Sequence, residues 1–467
     1  MRQWRGQLTD SLFGLSLAYV ALWLGGCGEE HSPSEQKEKN NLPNIVLVVA
    51  DDLGYGALGA YGSKAINTPN LDKVAAQGSK LTQFYVSSPV CSPSRASILS
   101  GMQPWEVNVP KVLMQHRKSR QEGISTKIPL LPTLLKQQNY QSCLIGKWHL
   151  GYEAATSPLA LGFDEFTGFI GGRIDYNTYH SSNGIVGLLK NGQPVEADGV
   201  HLTQRLTTEA VEYVTAYDLP NPYFLMLAYA NPHKPYILPE GNPVNEQSSP
   251  IVKYQQMVAL LDEQIGALLN VIWEKDPNTL FVFISDHGAP SGVSSNGSLS
   301  GGKGLLLEGG LRVPAIMYWP GKIEGGLNVD EPHTVFDLFQ TLLSAASCRP
   351  NSASGGIPIF DFNASTSGTK FTETEDPRLL YWDFGGTKAI RKGRYKAVFI
   401  PRQTNSIRAA YYLNQAEPKV PEALMHQFQG YYPLLFDLEA DPEESRNLVL
   451  EDTDRAKAMF ELMLSQQ

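Results

Sequence analysis

Several short stretches carry residue types that could do chemistry together. Asp51-Asp52 and Asp286-His287 offer three carboxylates and an imidazole. Carboxylates brought to one place repel, and a divalent cation such as Ca²⁺, or Mg²⁺, relieves that repulsion. Taken alone, an Asp-Asp pair after a strand suits a helix cap with a solvated neighbour just as well. Cys91-Ser92-Pro93-Ser94-Arg95 opens a helical stretch, Pro93 to Ser100, that Gly101 closes. The thiol therefore stands beside a helix N-terminus, where free N–H groups favour an anion. A buried cap cysteine would satisfy the same position, but Cys-x-Pro-x-Arg is far more restrictive than a lone Cys. Lys147, His149, His233 and Lys303 add cationic and imidazole groups close to apolar runs or among glycines. For His233 alone a solvated loop histidine, and for Lys303 alone a flexible exposed lysine, would account for the residue.

The elements that must position these groups are strands ending in polar residues. Ile45–Ala50 is a continuous apolar run, the pattern of a strand covered on both faces, and it stops at Asp51-Asp52. Leu280–Ile284 stops at Ser285-Asp286-His287-Gly288, Tyr223–Ala230 at Asn231-Pro232-His233, and Ser142–Ile145 at Gly146-Lys147-Trp148-His149. In doubly wound α/β folds that carboxyl edge is where ligands bind. Helical patterns alternate with the strands: Pro69 to Gln77 after a Thr68 cap and before Gly78, then Leu130 to Gln138, Thr207 to Tyr217 and Tyr254 to Lys275. This alternation predicts a mainly parallel sheet sandwiched by helices over residues 44–348. Residues 349–377, rich in Ser, Thr, Gly and Pro, read as a linker. Beyond them, 378–467 predicts a small antiparallel sheet (Leu379–Phe384, Lys388–Arg391, Tyr395–Ile400, Leu434–Leu438) with one helix, Asp454 to Gln467.

At 467 residues, 42% hydrophobic and 18% charged, the chain has an ordinary globular composition. Its net charge of −9, without long basic runs, argues against nucleic acid as a partner. Four cysteines are too few for a disulfide scaffold in so long a chain. Arg2 and Arg5 precede an apolar stretch, Leu12 to Leu24, that ends at Gly25-Gly26-Cys27. This predicts a lipoprotein signal peptide over 1–26, lipidation at Cys27 and a polar tether over 27–43, hence an exported protein held on a bacterial membrane in the periplasm or at the cell surface. A plain signal peptide with a chance Cys is the alternative. Cys143 and Cys348 are left over, the first in a strand pattern, with pairing open.

Taken in order, the motifs resemble the type I, formylglycine-dependent sulfatases of the alkaline phosphatase superfamily, of the arylsulfatase and N-acetylgalactosamine-6-sulfatase kind. The resemblance runs through Asn44–Gly56, Thr68–Asp72, Val90–Gly101, Gly146–Gly151, Pro232–Pro235, Ser285–Gly288, Gly302–Gly304, Glu308–Pro314 and Leu435–Leu448, nearly the whole chain after the leader. It implies an alkaline phosphatase-like fold and oxidation of Cys91 to formylglycine by a maturation enzyme. One hydroxyl of the hydrate, activated at the metal, would attack sulfur, and the second would let the aldehyde re-form and expel sulfate.

The resemblance also implies roles. Asp51, Asp52, Asp286 and the residue-91 side chain would bind Ca²⁺ (Mg²⁺ as the other choice), with His287 at a position where the family often has Asn. Arg95 and His149 would hold and activate the nucleophile; Lys147, His233 and Lys303 would stabilise sulfate oxygens and the leaving group. Asp175, Tyr176 and His180 are candidates for a sugar pocket built from loops 152–204, 235–250 and 400–432. The expected activity is hydrolysis of sulfate esters, on a sulfated carbohydrate. A phosphonate monoester or phosphodiester hydrolase with the same nucleophile, or an inactive surface glycan-binding protein, are the alternatives.

Overall fold

The computed structural model describes residues 41–466 other than 115–121, 182–186, 293–295, 363–369, 372–376, 403–409, 413 and 415–416. Residues 1–40, with the signal-peptide and Cys27 expectations, lie outside the described residues. No helix among the described residues is long and apolar enough to cross a membrane.

Ile45–Ala50 forms strand β1 (Asn44–Asp51), buried at every position. Ile45, Leu47 and Val49 face one apolar cluster, and Val46, Val48 and Ala50 face another on the opposite side of the sheet. The uninterrupted run exists because a strand with both faces covered has no polar side. Around it lie β2 (Ser79–Tyr85), β3 (Gln141–Lys147), β4 (Glu165–Phe169), β5 (Leu188–Lys190), β6 (Gln193–Val195), β7 (Tyr223–Pro232), β8 (Thr279–Ser285), β9 (Arg312–Tyr318) and β10 (Leu327–Val329). Their order is β10-β2-β9-β8-β1-β7-β3-β4-β5-β6. The middle, β8-β1-β7-β3-β4, is parallel; β9, β5 and β6 join it antiparallel. The expected mainly parallel sheet is present.

Helices α1 (Pro69–Gln77), α4 (Leu202–Ala216) and α5 (Pro250–Lys275) pack on one face, and α2 (Cys91–Ser100), α3 (Leu131–Leu135) and α6 (Val335–Ala345) on the other. α1 starts on Pro69 and stops before Gly78, at both predicted ends. Two helices start earlier than their periodicity suggested. α4 is capped by His201, whose ring accepts from the Thr203 amide, and α5 by Ser249 followed by Pro250. Cys143 and Cys348 are buried free thiols in the clusters on opposite faces of the sheet.

The C-terminal strands, Leu379–Phe384, Thr387–Lys392, Tyr395–Pro401 and Tyr431–Asp437, form an antiparallel sheet in that order. One face packs Ala397, Phe399 and Leu435 on Met459, Phe460 and Met463 of the terminal helix Thr453–Leu464, each large side chain worth roughly 1.5–3 kcal/mol of burial. The other face, with Val398, Ile400, Leu434 and Phe436, joins the main core. Within the stretch read as a linker, Phe360–Asp361 pairs with Lys370–Phe371.

Candidate active site

Parallel register brings the carboxylates together. Ala50 lies opposite Ser285 across β1 and β8, and Asp51 lies opposite Pro232 across β1 and β7. The Asp286 amide donates to the Ala50 carbonyl at 3.0 Å, and the Asp52 amide to Asp286 Oδ1 at 3.3 Å. Asp52 turns the chain with a φ of 68°, held by the Tyr254 hydroxyl, which donates to its carbonyl at 3.0 Å. β3 delivers Lys147 through Gly146, at φ 108°, where a Cβ would sit 2.0 Å from the Ala228 carbonyl oxygen. Only glycine allows β3 and β7 that approach.

Every catalytic and metal candidate lies in this one region. Asp51, Asp52, Asp286, His287, Arg95, Lys147, His149 and Cys91 are each at most 4% exposed, and His233 is 9% exposed. Lys147 Nζ is 2.5 Å from Asp51 Oδ2, and Lys303 Nζ is 2.6 Å from Asp52 Oδ1. Arg95 Nε donates to Asp286 Oδ2 at 2.9 Å and its Nη1 to the Lys147 carbonyl at 3.3 Å. His287 Nε2 is 3.3 Å from Asp52 Oδ1 and 3.5 Å from Asp286 Oδ1. His149 Nε2 is 3.0 Å from the Leu113 carbonyl oxygen, and His233 Nε2 is 3.8 Å from Asp52 Oδ2. Cys91 is the first residue of α2, which starts two residues before the expected Pro93 and puts the thiol within the first turn rather than just outside it.

Charge decides the protonation states. Burial alone would raise the Cys91 thiol, yet Lys147 and Lys303 hold it well below the usual range. Burial likewise opposes ionisation of Asp51, and Lys147, His233 and Arg95 overcome it and lower its pKa. Asp286 goes the other way, pushed up to about 6 by burial and by Asp51. His287 resists burial because Asp286 faces it, and rises to about 9. His149 is lowered by burial, with Lys147 acting in the same direction.

Asp51, Cys91, Asp286 and His287 each offer a ligand atom within 4.8 Å of the others, as do Asp51, Asp52 and His233. Asp51 Oδ1 and His287 Nε2 are buried without a hydrogen-bond partner among the described residues. Buried polar atoms are almost always satisfied, so two such orphans in a donor cluster fit a divalent cation. The carboxylate majority suits Ca²⁺ or Mg²⁺, and His287 is the softer member.

A cavity of about 320 Å³ opens over this cluster, lined by Cys91, His149, His233 and Lys303 together with Val112, Leu113, Met114, Tyr152, Gly172, Arg173 and Lys234. Asp175, Tyr176 and His180 do not line it. Asp175 instead accepts from the Asn177 and Thr178 amides, and the buried Tyr176 hydroxyl donates to the Ala230 and His233 carbonyls. Tyr176 thus braces His233 from behind. Among the described residues of the three loops expected to shape the pocket, only those of 152–204 line it. Tyr152, Arg173 and Lys234 escaped sequence reading, although Lys234 stands beside His233 in its motif.

A buried thiol at a helix N-terminus, ringed by cations and set over carboxylates, defines a centre that transfers an anionic tetrahedral group. Family models narrow the class. Residues 43–348 match the sulfatase model and residues 374–465 the C-terminal region of aryl-sulfatase. N-acetylgalactosamine-6-sulfatase of Canis lupus familiaris is 33% identical over 382 residues, covering 76% of this chain and 72% of that protein. Arylsulfatase A of Bos taurus is 32% identical over 454 residues, covering 87% and 83%. Among solved structures, Ps i-CgsB in complex with k-i-k-neocarrahexaose superposes with a TM-score of 0.75 at 29% identity, covering 91% of this chain and 92% of that one. The chain belongs to the sulfatase family, and its activity is that of a sulfuric ester hydrolase.

Proposed function

We propose that this protein is an exported, lipid-anchored sulfatase that removes sulfate from a glycan, with residue 91 matured to formylglycine and a divalent cation held by Asp51, Asp52, Asp286 and His287. The observation that carries the reading is the placement of Cys91: first residue of α2, 4% exposed, at the floor of the cavity and within the metal-ligand cluster. A glycan substrate is supported by the relatives, one named for a sulfated amino sugar and one solved with a carrageenan oligosaccharide. Export and anchoring rest on Leu12–Cys27.

When present, the cation supplies positive charge beside the ester oxygens, and the hydrated aldehyde supplies an attacking hydroxyl and a second hydroxyl from which the aldehyde re-forms. The chain's own residues do the rest. Arg95 locks Asp286 and the Lys147 carbonyl and so sets the floor of the site. Lys147 and Lys303 meet the charge that grows on the sulfuryl oxygens. His233, at the cavity wall, is placed to protonate the leaving oxygen, and His149, kept neutral by burial, to accept a proton at residue 91.

Protein coexpressed with a formylglycine-generating enzyme tests this directly. Mass spectrometry of the peptide spanning residue 91 is expected to show the aldehyde, and sulfate release from sulfated sugars to track its content. An intact thiol in fully active enzyme overturns the nucleophile, and a wide preference for phosphodiesters or phosphonates over aryl sulfates overturns the sulfatase substrate.

A further inference from the structure

The cavity holds more positive charge than one sulfate ester requires. Of the reacting cluster, Lys303 and His233 line it together with His149, which burial keeps neutral, and Lys147 lies buried behind it. Arg173 and Lys234 line the same cavity and are exposed. No carboxylate is among the lining residues, in a chain whose net charge is −9. The remaining lining, Val112, Leu113, Met114 and Tyr152, is largely apolar and suits the ring face of a sugar.

Two different elements supply the pair. Arg173 follows Gly172, which is packed against the His149 ring, and Lys234 follows His233 directly. Each cation is next in sequence to a residue at the wall of the site and lines the same cavity, beside the space the ester would fill.

Resting on the sulfatase reading of this site, we propose that Arg173 and Lys234 form a subsite for a second anionic group, so that the preferred substrate is a saccharide carrying another sulfate or a carboxylate beside the sulfate ester that is cleaved. Exposed charge pairs of this kind contribute modestly each and weaken with salt.

Matured full-length enzyme and its Arg173→Gln, Lys234→Gln and double variants are compared on a neutral monosulfated disaccharide, a disulfated disaccharide and a monosulfated disaccharide containing a uronate. Wild type is expected to favour the two dianionic substrates, mainly through KM, and more at low salt than at high. In the double variant the ratio of kcat/KM, dianionic over monoanionic, is expected to fall about tenfold, the sum of two modest charge contacts. Loss of preference for the disulfated substrate alone assigns the subsite to sulfate, and for the uronate alone to carboxylate. A wild type without preference, or a ratio unchanged in the double variant, overturns the subsite while leaving the sulfatase intact. Absence of sulfate release from all three, and from an aryl sulfate, overturns the sulfatase reading itself.

Discussion

Two buried charge clusters lie at opposite ends of the loop that runs from Lys303 to Glu308, and they are built differently. At the active site, three carboxylates meet Arg95, Lys147 and Lys303, yet Asp51 Oδ1, Arg95 Nη2 and His287 Nε2 lack hydrogen-bond partners among the described residues. At the other end, Lys396 Nζ bridges Glu308 Oε1 and Glu444 Oε1, each at 2.9 Å. There Tyr85 donates to Glu308 Oε2 at 2.6 Å, and the Glu308 amide to Glu444 Oε2 at 2.6 Å. Arg391 adds a contact to the Tyr85 hydroxyl. The first cluster leaves several buried polar atoms without hydrogen-bond partners among the described residues and opens into a cavity; the second leaves only Glu444 Oε1, which meets Lys396 as an ion pair, and its Lys396, Glu308 and Glu444 are fully buried. Buried charge prepared for a ligand and buried charge that fastens a sheet to a core are distinguished by which atoms are left over.

Four changes separate the two kinds. Cys91→Ala removes the proposed nucleophile and leaves the packing nearly intact. Aryl sulfate turnover is expected to drop by roughly four orders of magnitude or more with thermal stability little altered. Lys396→Met acts in the opposite sense, leaving two carboxylates buried without their cation. Denaturant unfolding is expected to show a loss of about 3–5 kcal/mol, and a variant as stable as wild type contradicts the fastening role.

Gly172→Ala probes how tightly the active cluster is held. A Cβ there would lie 2.6 Å from His149 Cε1, so the ring must shift away from its contact with the Leu113 carbonyl. A fall in kcat of about tenfold is expected from such a displacement, with stability changed far less than in Lys396→Met.

Glu444→Gln is the smallest change and is read through pH. Burial and Glu308 push Glu444 up to about 7 from 4.5, so the folded protein keeps a proton that the unfolded chain releases. Its contribution therefore makes stability fall as pH rises from about 4.5 to 7. Glu308 is lowered to about 2 against burial by Lys396, Arg312 and Arg391, and its contribution is lost only as pH falls below 4.5. Unfolding free energies at pH 5 and 7 are expected to differ less in Glu444→Gln than in wild type, by on the order of 1 kcal/mol.

How much of this is visible in sequence depends on range. α1 is legible because Pro69 and Gly78 mark its ends within ten residues, and the Asp51, Asp286 and Lys147 positions because each closes a strand that reads as buried. Short motifs of that kind carried the whole reacting cluster. The start of α4 was hidden because a histidine caps it, and histidine is not among the usual caps. Glu308 sits in a motif, but its partners Lys396 and Glu444 lie 88 and 136 residues away in unremarkable strand and turn sequence. Arg173 and Lys234 were equally mute, since an exposed cation in a loop looks the same whether or not a cavity opens beneath it.

The clasp at Lys396 also sets an order of events during synthesis. The loop bearing Lys303 is made before the strand and turn that secure Glu308, so the clasp closes only once Lys396 and Glu444 have been synthesised. The same loop is tied to the segment before residue 91 by the Gly304 amide, which donates to the Pro89 carbonyl at 2.8 Å. In the folded protein Cys91 is 4% exposed at the floor of its cavity, so the proposed maturation would be easiest before that loop is in place.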